Sequence, residues 1–230
     1  MSRSILLVHH LSYETGGHVT RILDELGLPV RTVLEPDSVP DVDELAGVVL
    51  FGGEMSAADV AGHPSVGVSR ELARRAVDAD VPTLGLCLGH QILALALGAE
   101  HFPASSREVG LVESELVAAD PWLADATGPL RAMQWNDDTV SLPAGATLVA
   151  RSASTPNTAF RYGSALGLQF HLEVDDGVLE VWDRVPEPRL SERLPMTWDA
   201  FLADYRGNRR LHDVAERGIR AFAEACTARV

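Results

Sequence analysis

The sequence predicts an α/β fold, with a doubly wound, mostly parallel sheet that is flanked by helices and carries a small antiparallel excursion. Short apolar segments alternate with helical patterns over the first hundred residues, which is typical of parallel strands joined by helical crossovers. Residues 45–51 are almost continuously apolar, as expected for a strand that helices cover on both faces. After Gly98, short stretches of alternating polarity separated by turn residues indicate antiparallel strands.

The individual elements follow from these patterns in chain order. Buried strands are predicted over residues 5–8, 30–34, 45–51 and 81–86, and helices over residues 19–26, 65–79 and 91–97. Antiparallel strands are predicted over residues 109–117, 130–133, 147–150 and 159–162, after which the chain returns through residues 165–173. The remaining pattern is helical with several proline breaks. We therefore expect a single domain, 1–230, in which residues 176–230 form a helical C-terminal extension.

Composition and charge exclude several classes of function. The chain of 230 residues has a net charge of −14, which disfavours binding to nucleic acid or to an anionic membrane, since both need clustered Lys and Arg. It contains no lysine, which excludes a Schiff-base lysine mechanism. Two cysteines give no disulfide framework, and Cys226, in a helical pattern, is expected to be structural. With neither a signal-peptide pattern nor a membrane-spanning apolar run, we expect a cytoplasmic protein.

Cys87 marks a sharp strand-to-helix turn and is flanked by Gly85 and Gly89. Such a nucleophile elbow lifts the reactive atom out of the sheet, and its glycines let strand and helix pack where a Cβ would clash. The helix N-terminus beside the sulfur favours thiolate over thiol. A lone cysteine on an apolar strand is more often a small buried hydrophobe, so further residues must decide between the two interpretations.

His171 and Glu173 are the partners that a cysteine nucleophile needs. Two residues apart on an extended segment, their side chains share one face, so the carboxylate can orient the ring. A lone histidine is more often structural, but the combination with Cys87 favours a catalytic triad. His9 and His10, by contrast, are adjacent and point to opposite sides of a strand, so the sequence does not favour a metal site there.

Three segments resemble motifs of the class I (triad) glutamine amidotransferases, and their order and spacing also agree. Residues 85–91, Gly-Leu-Cys-Leu-Gly-His-Gln, resemble the nucleophile motif of that family. Residues 167–173, Gly-Leu-Gln-Phe-His-Leu-Glu, are similar to its histidine–glutamate motif, and residues 52–56 to its oxyanion segment. The resemblance covers roughly residues 4–174 and is greatest to the GMP-synthase-like branch of stand-alone amidotransferase domains.

This resemblance implies a glutaminase-type site. It implies a triad of Cys87, His171 and Glu173, with the backbone N–H groups of Gly53 and Leu88 as oxyanion-hole donors. Substrate contacts are implied in the same way at Gly52, Gln91, Gln134 and Trp135. The expected substrate is glutamine or another γ-glutamyl compound, with no cofactor and no metal, and a separate synthase subunit would accept the ammonia.

Three positions depart from the usual pattern of the family. Glu54 stands where proline usually follows the double glycine, Asn136 where a histidine is usual, and Leu172 where a second proline is usual. Three functions remain open: a glutamine amidase that supplies a partner synthase, a partner-independent hydrolase of γ-glutamyl peptides or conjugates, and a catalytically weak binding or regulatory subunit. A Glu54 carboxylate that blocks the Gly53 N–H would favour the catalytically weak subunit. An open cavity beyond the γ-amide would favour the partner-independent hydrolase. Glu108, in a segment similar to one of that branch, is a candidate pocket residue.

Overall fold

The computed structural model describes residues 3–186 and 188–229, which form eleven strands and seven helices. The strands are β1 Ser4–His9, β2 Val30–Leu34, β3 Leu45–Leu50, β4 Thr83–Leu86, β5 His101–Phe102, β6 Glu108–Leu116, β7 Gly128–Asn136, β8 Thr139–Val140, β9 Thr147–Ser152, β10 Ala159–Tyr162 and β11 Ala165–Leu168. The helices are α1 Gly17–Glu25, α2 Pro64–Asp78, α3 Leu88–Ala96, α4 Asp176–Trp182, α5 Leu190–Arg193, α6 Trp198–Gly207 and α7 Arg209–Thr227.

Nine of the strands form one sheet with a parallel half and an antiparallel half. Their order is β2-β1-β3-β4-β11-β10-β9-β6-β7. Neighbours from β2 to β11 are parallel, and those from β11 to β7 are antiparallel. The predicted α/β fold is confirmed. Most of the antiparallel strands extend the main sheet instead of packing onto it, and only β5 and β8 form a separate small sheet.

Helices cover both faces of the parallel half, because successive side chains of each strand enter two different cores. In β1, Ile5 and Leu7 join the core that also contains side chains of α1 and α7. Leu6 and Val8 join the core that contains side chains of α2 and α3. Burial of each such side chain contributes about 1.5–3 kcal/mol. These layers hold the strands whose carboxyl ends carry the candidate site.

The helix boundaries differ from the predicted ones by a few residues, and two of these differences matter for the site. Helix α3 begins at Leu88 and not at residue 91, so no loop separates Cys87 from the helix. Helix α1 begins at Gly17, where an added Cβ would lie 2.0 Å from the carbonyl oxygen of Glu173. The N–H of His18 donates to the same oxygen at 2.7 Å. The start of α1 therefore rests directly against the Glu173 segment.

The C-terminal helices pack onto the same core as the strands. Ile219 and Phe222 of α7 are fully buried beside β1 and β3 side chains, and the Tyr205 hydroxyl of α6 donates to the Val174 carbonyl at 2.7 Å. On this packing we propose one domain, 1–230, with residues 176–230 as its helical extension. Among the described residues, no helix has the length and apolar character that a membrane crossing needs.

Candidate active site

Cys87 occupies a strained turn between β4 and α3. Its φ is 52° and its ψ is −105°, a conformation that costs a non-glycine residue of order 1–3 kcal/mol. A Cβ added at Gly89 would lie 2.0 Å from the carbonyl oxygen of Leu50, and one at Gly85 would lie 2.5 Å from that of Gly89. Glycine at both positions therefore lets α3 approach the sheet closely, and the predicted elbow is confirmed.

His171 and Glu173 lie just beyond the end of β11, where His171 forms a single bridge and the residues on both sides of it lie in bends. The ring Nδ1 of His171 lies 2.6 Å from Oε1 of Glu173, and each side chain is only 3% exposed. The N–H of His171 donates to the Met133 carbonyl at 2.9 Å, an isolated antiparallel bridge to β7. The extended segment that the sequence predicts is therefore not observed around His171, although the ring of His171 still meets the carboxylate of Glu173.

The His171 ring and Cys87 are electrostatically coupled. Burial alone lowers the pKa of His171, but the Glu173 carboxylate, the charge of Cys87 and hydrogen bonds to both raise it well above its ordinary value. A protonated ring beside the sulfur can donate a proton to a departing group. The arrangement therefore suits attack by the sulfur and donation of a proton by the ring.

Two further groups contact the sulfur. The side-chain amide of Gln169 lies with Nε2 3.7 Å from Sγ of Cys87, and Sγ lies 3.9 Å from the carbonyl oxygen of Trp135. Gln169 in turn accepts a hydrogen bond from Gln91 at 3.1 Å. Gln169 lies inside the histidine–glutamate segment, but sequence reasoning assigned it no role. Its position beside the sulfur depends on the pairing of β4 with β11, which places the two segments side by side.

The double glycine after β3 lies next to the cysteine and the histidine. A Cβ built on Gly52 would lie 3.5 Å from Cε1 of His171 and 3.7 Å from Cβ of Cys87. One built on Gly53 would lie 2.7 Å from Cδ2 of Leu88. Leu88 is the first residue of α3, so its N–H is one of the helix amides that lack an intrahelical partner. Gly53 and Leu88 are thus neighbours in the structure, and their role as oxyanion-hole donors stays a prediction.

A cavity of about 360 Å³ opens in front of the sulfur. Six of the predicted site residues line it: Gly53, Cys87, Leu88, Gln91, Trp135 and His171. Glu173 lies behind the ring of His171 and outside the lining. The Gln134 side chain is fully buried and does not line the cavity either. The prediction for Gln134 concerns its backbone, and it stays a prediction.

The C-terminal part of the chain closes one side of this cavity, which sequence reasoning did not predict. Trp182, Pro186, Pro188 and Arg193 all line it. The ring of Trp182 meets the His171 ring edge-on with centroids 4.8 Å apart, and it meets Trp135 at 5.7 Å. The histidine and the space in front of it are therefore walled by aromatic side chains.

Glu14 is a cavity residue that sequence reasoning missed. It lies in the loop between β1 and α1, and its Oε1 is 3.5 Å from the point that a Gly52 Cβ would occupy. Burial, followed by the charge of Glu173, raises the pKa of Glu14 to about 7, against a lowering influence of His171. The signal available in the sequence was its position in a loop at the carboxyl edge of the sheet.

Glu54 is exposed. Its carboxylate accepts a hydrogen bond from the hydroxyl of Tyr13, which also lines the cavity. The observed contact is therefore not a hydrogen bond from the Gly53 N–H to this carboxylate, which is the contact that would favour a catalytically weak subunit.

The other candidate residues from the sequence make structural contacts. Glu108 is buried on β6, where its carboxylate accepts hydrogen bonds from the hydroxyls of Ser152, Ser154 and Thr155, so the prediction that it belongs to the pocket is wrong. The ring of His9 stacks on Phe51, and His10 lies between two serine hydroxyls. Cys226 is fully buried, and burial raises the pKa of its thiol to about 12. Within residues 3–186 and 188–229, no group of three or more His, Cys, Asp or Glu is arranged to hold a metal ion.

Comparison with known proteins gives a consistent set of matches. The family described as glutamine amidotransferase class-I matches residues 16–180. A glutamine amidotransferase-like protein of Salmonella typhimurium, YfeJ, is 28% identical over 219 residues, which cover 91% of this chain and 87% of that protein. One subunit of the glutamine-hydrolyzing GMP synthase of Sulfolobus acidocaldarius is 31% identical over 159 residues, 68% of this chain and 82% of that subunit. A crystal structure of a glutamine amido transferase from Methylobacillus flagellatus matches with a TM-score of 0.85 at 25% identity and covers 98% of this chain and 96% of that one.

Proposed function

The chain belongs to the class I glutamine amidotransferases, and we propose that it hydrolyses the side-chain amide of glutamine through a γ-glutamyl thioester on Cys87. The observation that carries this proposal is the buried arrangement of Cys87, His171 and Glu173 at the carboxyl edge of the sheet. The sulfur has an imidazole beside it, and the imidazole has a carboxylate that orients it, as nucleophilic catalysis requires.

The first half of the reaction forms the thioester. The Cys87 thiolate attacks the γ-carbonyl carbon, and the oxygen that becomes negative is held by the N–H groups of Gly53 and Leu88. Each such donor is typically worth about 10²- to 10³-fold in rate. As the C–N bond breaks, Nε2 of His171 gives its proton to the nitrogen, which leaves as ammonia.

The second half of the reaction releases glutamate. His171, now neutral, takes a proton from a water molecule, and the resulting hydroxide attacks the thioester carbonyl. The C–S bond breaks and restores the thiolate beside a protonated ring. Throughout, the Glu173 carboxylate accepts a hydrogen bond from Nδ1–H of His171 and keeps Nε2 directed at the reacting atoms. No step requires a cofactor.

The amino-acid end of the substrate needs its own contacts, which we propose at Gly52, Gln91, Gln134 and Trp135. Gln91 is nearly buried in the cavity wall and is held by hydrogen bonds to Gln169 and to the Asp138 carbonyl, which supports a fixed orientation of its side chain. Trp135 lines the cavity and presents its carbonyl oxygen toward the sulfur.

The released ammonia calls for an acceptor, which we propose to be a separate synthase subunit in the cytoplasm. The relative from Sulfolobus acidocaldarius is itself one subunit of a GMP synthase, and the chain covers 82% of its length. By contrast, the chain covers only 23% of the GMP synthase of Thermomicrobium roseum, to which it is 36% identical over 131 residues. An amidase of this size therefore corresponds to one part of such a synthase.

The proposal is tested by the release of glutamate and ammonia from glutamine by the purified chain. We expect Cys87→Ala to lower the release at least about 10³-fold, because the covalent route is lost. Cys226→Ala is the matched control, since this thiol is remote from the cavity and held protonated by burial. Its release should match that of the unchanged chain.

A partner-gated enzyme would release little ammonia alone, so a second measurement is needed. A glutamine analogue that carries a chloroketone in place of the amide should alkylate Cys87 and leave Cys226 unmodified, as read by peptide mass spectrometry. If the analogue labels neither cysteine and glutamine is not hydrolysed, the proposed function is refuted.

A second function, a partner-independent hydrolase of γ-glutamyl conjugates, is favoured by the extent of the cavity. Ligand pockets typically measure about 300–1,000 Å³, and this cavity of about 360 Å³ continues past the sulfur to the C-terminal wall. Trp182, Pro186 and Arg193 line this cavity, and we propose that they would contact a leaving group larger than ammonia.

A further inference from the structure

The side chain of Gln169 is a buried amide whose nitrogen faces the sulfur of Cys87. It is fully buried, and its Nε2 donates to Sγ of Cys87 at 3.7 Å. A buried N–H group without an acceptor costs free energy, and the sulfur is the acceptor that the structure gives to Nε2. The proposed amidase reaction does not yet include this contact, although it is made to the attacking atom.

Two contacts of the sulfur have opposite effects on its charge. The N–H of Gln169 favours the thiolate, because a hydrogen bond donated to the charged form of a group stabilises that form. The carbonyl oxygen of Trp135, 3.9 Å from Sγ, can only accept a hydrogen bond and so favours the thiol. If the oxygen of the Gln169 amide faced the sulfur instead, both contacts would favour the thiol. The orientation of this amide therefore matters.

A backbone carbonyl determines which end of the Gln169 amide faces the sulfur. The carbonyl oxygen of Asp138 can only accept, and Nε2 of Gln91 lies 3.3 Å from it, so the nitrogen of Gln91 must face that carbonyl. The same nitrogen carries a second hydrogen, which it donates to Oε1 of Gln169 at 3.1 Å. Gln169 therefore presents its oxygen to Gln91 and its N–H group to Cys87.

The Asp138 carbonyl is itself held by neighbouring contacts. The carboxylate of Asp138 accepts a hydrogen bond from the N–H of Ala104 at 2.9 Å, and it lies 2.9 Å from Nε2 of His101. Nδ2 of Asn136 donates to the Asp138 carbonyl oxygen at 3.4 Å. Asn136, which replaces the histidine that is usual in the family, thus contributes a second amide donor to the carbonyl that orients Gln91.

We infer that Gln169 is a further catalytic residue, whose N–H group is oriented by Gln91 and the Asp138 carbonyl and stabilises the negative charge with which the Cys87 sulfur attacks. The inference rests on the proposed amidase chemistry at Cys87. Gln169 gives up no proton in the reaction, because an amide N–H donates a hydrogen bond and keeps its hydrogen. Its contribution is to the charge of the nucleophile.

The test follows the Cys87 thiolate by its ultraviolet absorbance as the pH is raised, in the full-length chain without substrate. The absorbance of each chain is compared with that of the same chain carrying Cys87→Ala, which has the same Cys226 and the same tyrosines. Gln169→Leu removes the donor and keeps a similar volume. We expect its thiolate to appear about one pH unit higher than in the unchanged chain. This tenfold lower ratio of thiolate to thiol is the lower end of the effect of a hydrogen bond to a charged group.

A second variant acts on the same donor from a distance. Gln91→Met releases Oε1 of Gln169 and so lets its amide rotate, which should shift the thiolate absorbance in the same direction by a smaller amount. Because Gln91 acts through Gln169, adding Gln91→Met to Gln169→Leu should produce no further shift. Gln91→Met also tests the inference if Gln169→Leu does not fold.

Thr158→Val is the matched control for loss of a buried polar group. The carbonyl of Thr158 accepts from the backbone N–H of Gln169 at 2.8 Å, and its buried hydroxyl has no hydrogen-bond partner among the described residues. This variant should leave the absorbance curve unchanged, and thermal unfolding confirms that each variant is folded. The titratable side chains that share the cavity with the sulfur, and Glu173 behind them, are the same in every variant: Tyr13, Glu14, Glu54, Asp137, Asp138, His171 and Arg193.

The outcomes separate this inference from the proposed function. An absorbance curve of Gln169→Leu that coincides with that of the unchanged chain overturns the inference. A shift from Gln91→Met that is equally large with and without Gln169→Leu also overturns it, because Gln91 would then not act through Gln169. Hydrolysis of glutamine by the unchanged chain, measured separately, bears on the amidase chemistry alone. A chain that hydrolyses glutamine and shows no shift would keep the proposed function and lose Gln169 as a catalytic residue.

Discussion

Glu14→Gln is expected to stabilise the protein at neutral and alkaline pH. The pKa of Glu14 rises from 4.5 to about 7 because the carboxyl is buried and faces the charge of Glu173, with His171 acting in the opposite direction. The native state therefore holds this proton more tightly than the unfolded chain does. The stabilisation from holding it is complete below pH 4.5 and is lost as the pH rises through about 7. Glutamine has no such proton to lose.

The expected change in unfolding free energy follows from the rise in the pKa of Glu14. At 1.36 kcal/mol per pKa unit, the raised pKa of Glu14 lowers the unfolding free energy by up to about 3 kcal/mol at pH 8, where Glu14 ionises in the native state, and by about 1 kcal/mol at pH 5, where folding takes up a proton. For a chain of this size, about 3 kcal/mol corresponds to roughly 6 to 12 °C in the melting temperature. The variant should thus gain clearly more over the parent chain at pH 8 than at pH 5.

The assay is thermal unfolding of the parent chain, Glu14→Gln and Glu115→Gln at pH 5 and pH 8. Glu115→Gln removes the same charge from an exposed position and should show the pH dependence of the parent chain. If Glu14→Gln follows that same pH dependence, Glu14 is ionised at no cost, and the reasoning from its burial fails.

Two further predictions concern the triad and the elbow. Glu173→Gln should lower kcat for glutamine hydrolysis about 10²- to 10⁴-fold with little change in KM. The neutral amide holds the His171 ring less well and no longer raises the pKa of His171. An unchanged kcat in steady-state kinetics would remove Glu173 from the triad. Gly89→Ala should lower the unfolding free energy measured in denaturant by more than about 3 kcal/mol, because the added Cβ would lie 2.0 Å from the Leu50 carbonyl oxygen. The control is Gly207→Ala, which should cost nothing because no atom lies within 4 Å of its Cβ. Equal stability of the two variants would contradict the close packing at the elbow.

The features that could be predicted from the sequence depend on local geometry. The elbow at Cys87 follows from a strand, two glycines and a helix in immediate succession, and His171 and Glu173 meet because only one residue separates them. The α/β fold follows from alternating strand and helix patterns, which the sheet order confirms. These features need no knowledge of how distant segments pack.

The residues that sequence reasoning missed reach the site through tertiary packing. Glu14 enters the cavity because the loop after β1 turns through two glycines of positive φ, Gly16 and Gly17, and the sequence does not reveal the path of such a loop. Gln169 reaches the sulfur only because β11 pairs with β4. Its hydrogen-bond partner Gln91 is 78 residues away in the sequence, so the sequence does not reveal this contact. Glu108 was misassigned for the same reason, since the three hydroxyls that bind it come from a distant turn.

The position of β11 in the sheet has a consequence for the newly made chain. This strand is inserted between β4 and β10, and the residues that follow it supply the histidine, the carboxylate and then the wall at Trp182 and Arg193. A ribosome that adds about 5–20 residues per second needs roughly 5 to 20 seconds to proceed from Cys87 to Arg193. During that interval the thiol exists without its base and without its cover. The amidase chemistry proposed for this chain can therefore begin only after synthesis has proceeded at least as far as Arg193.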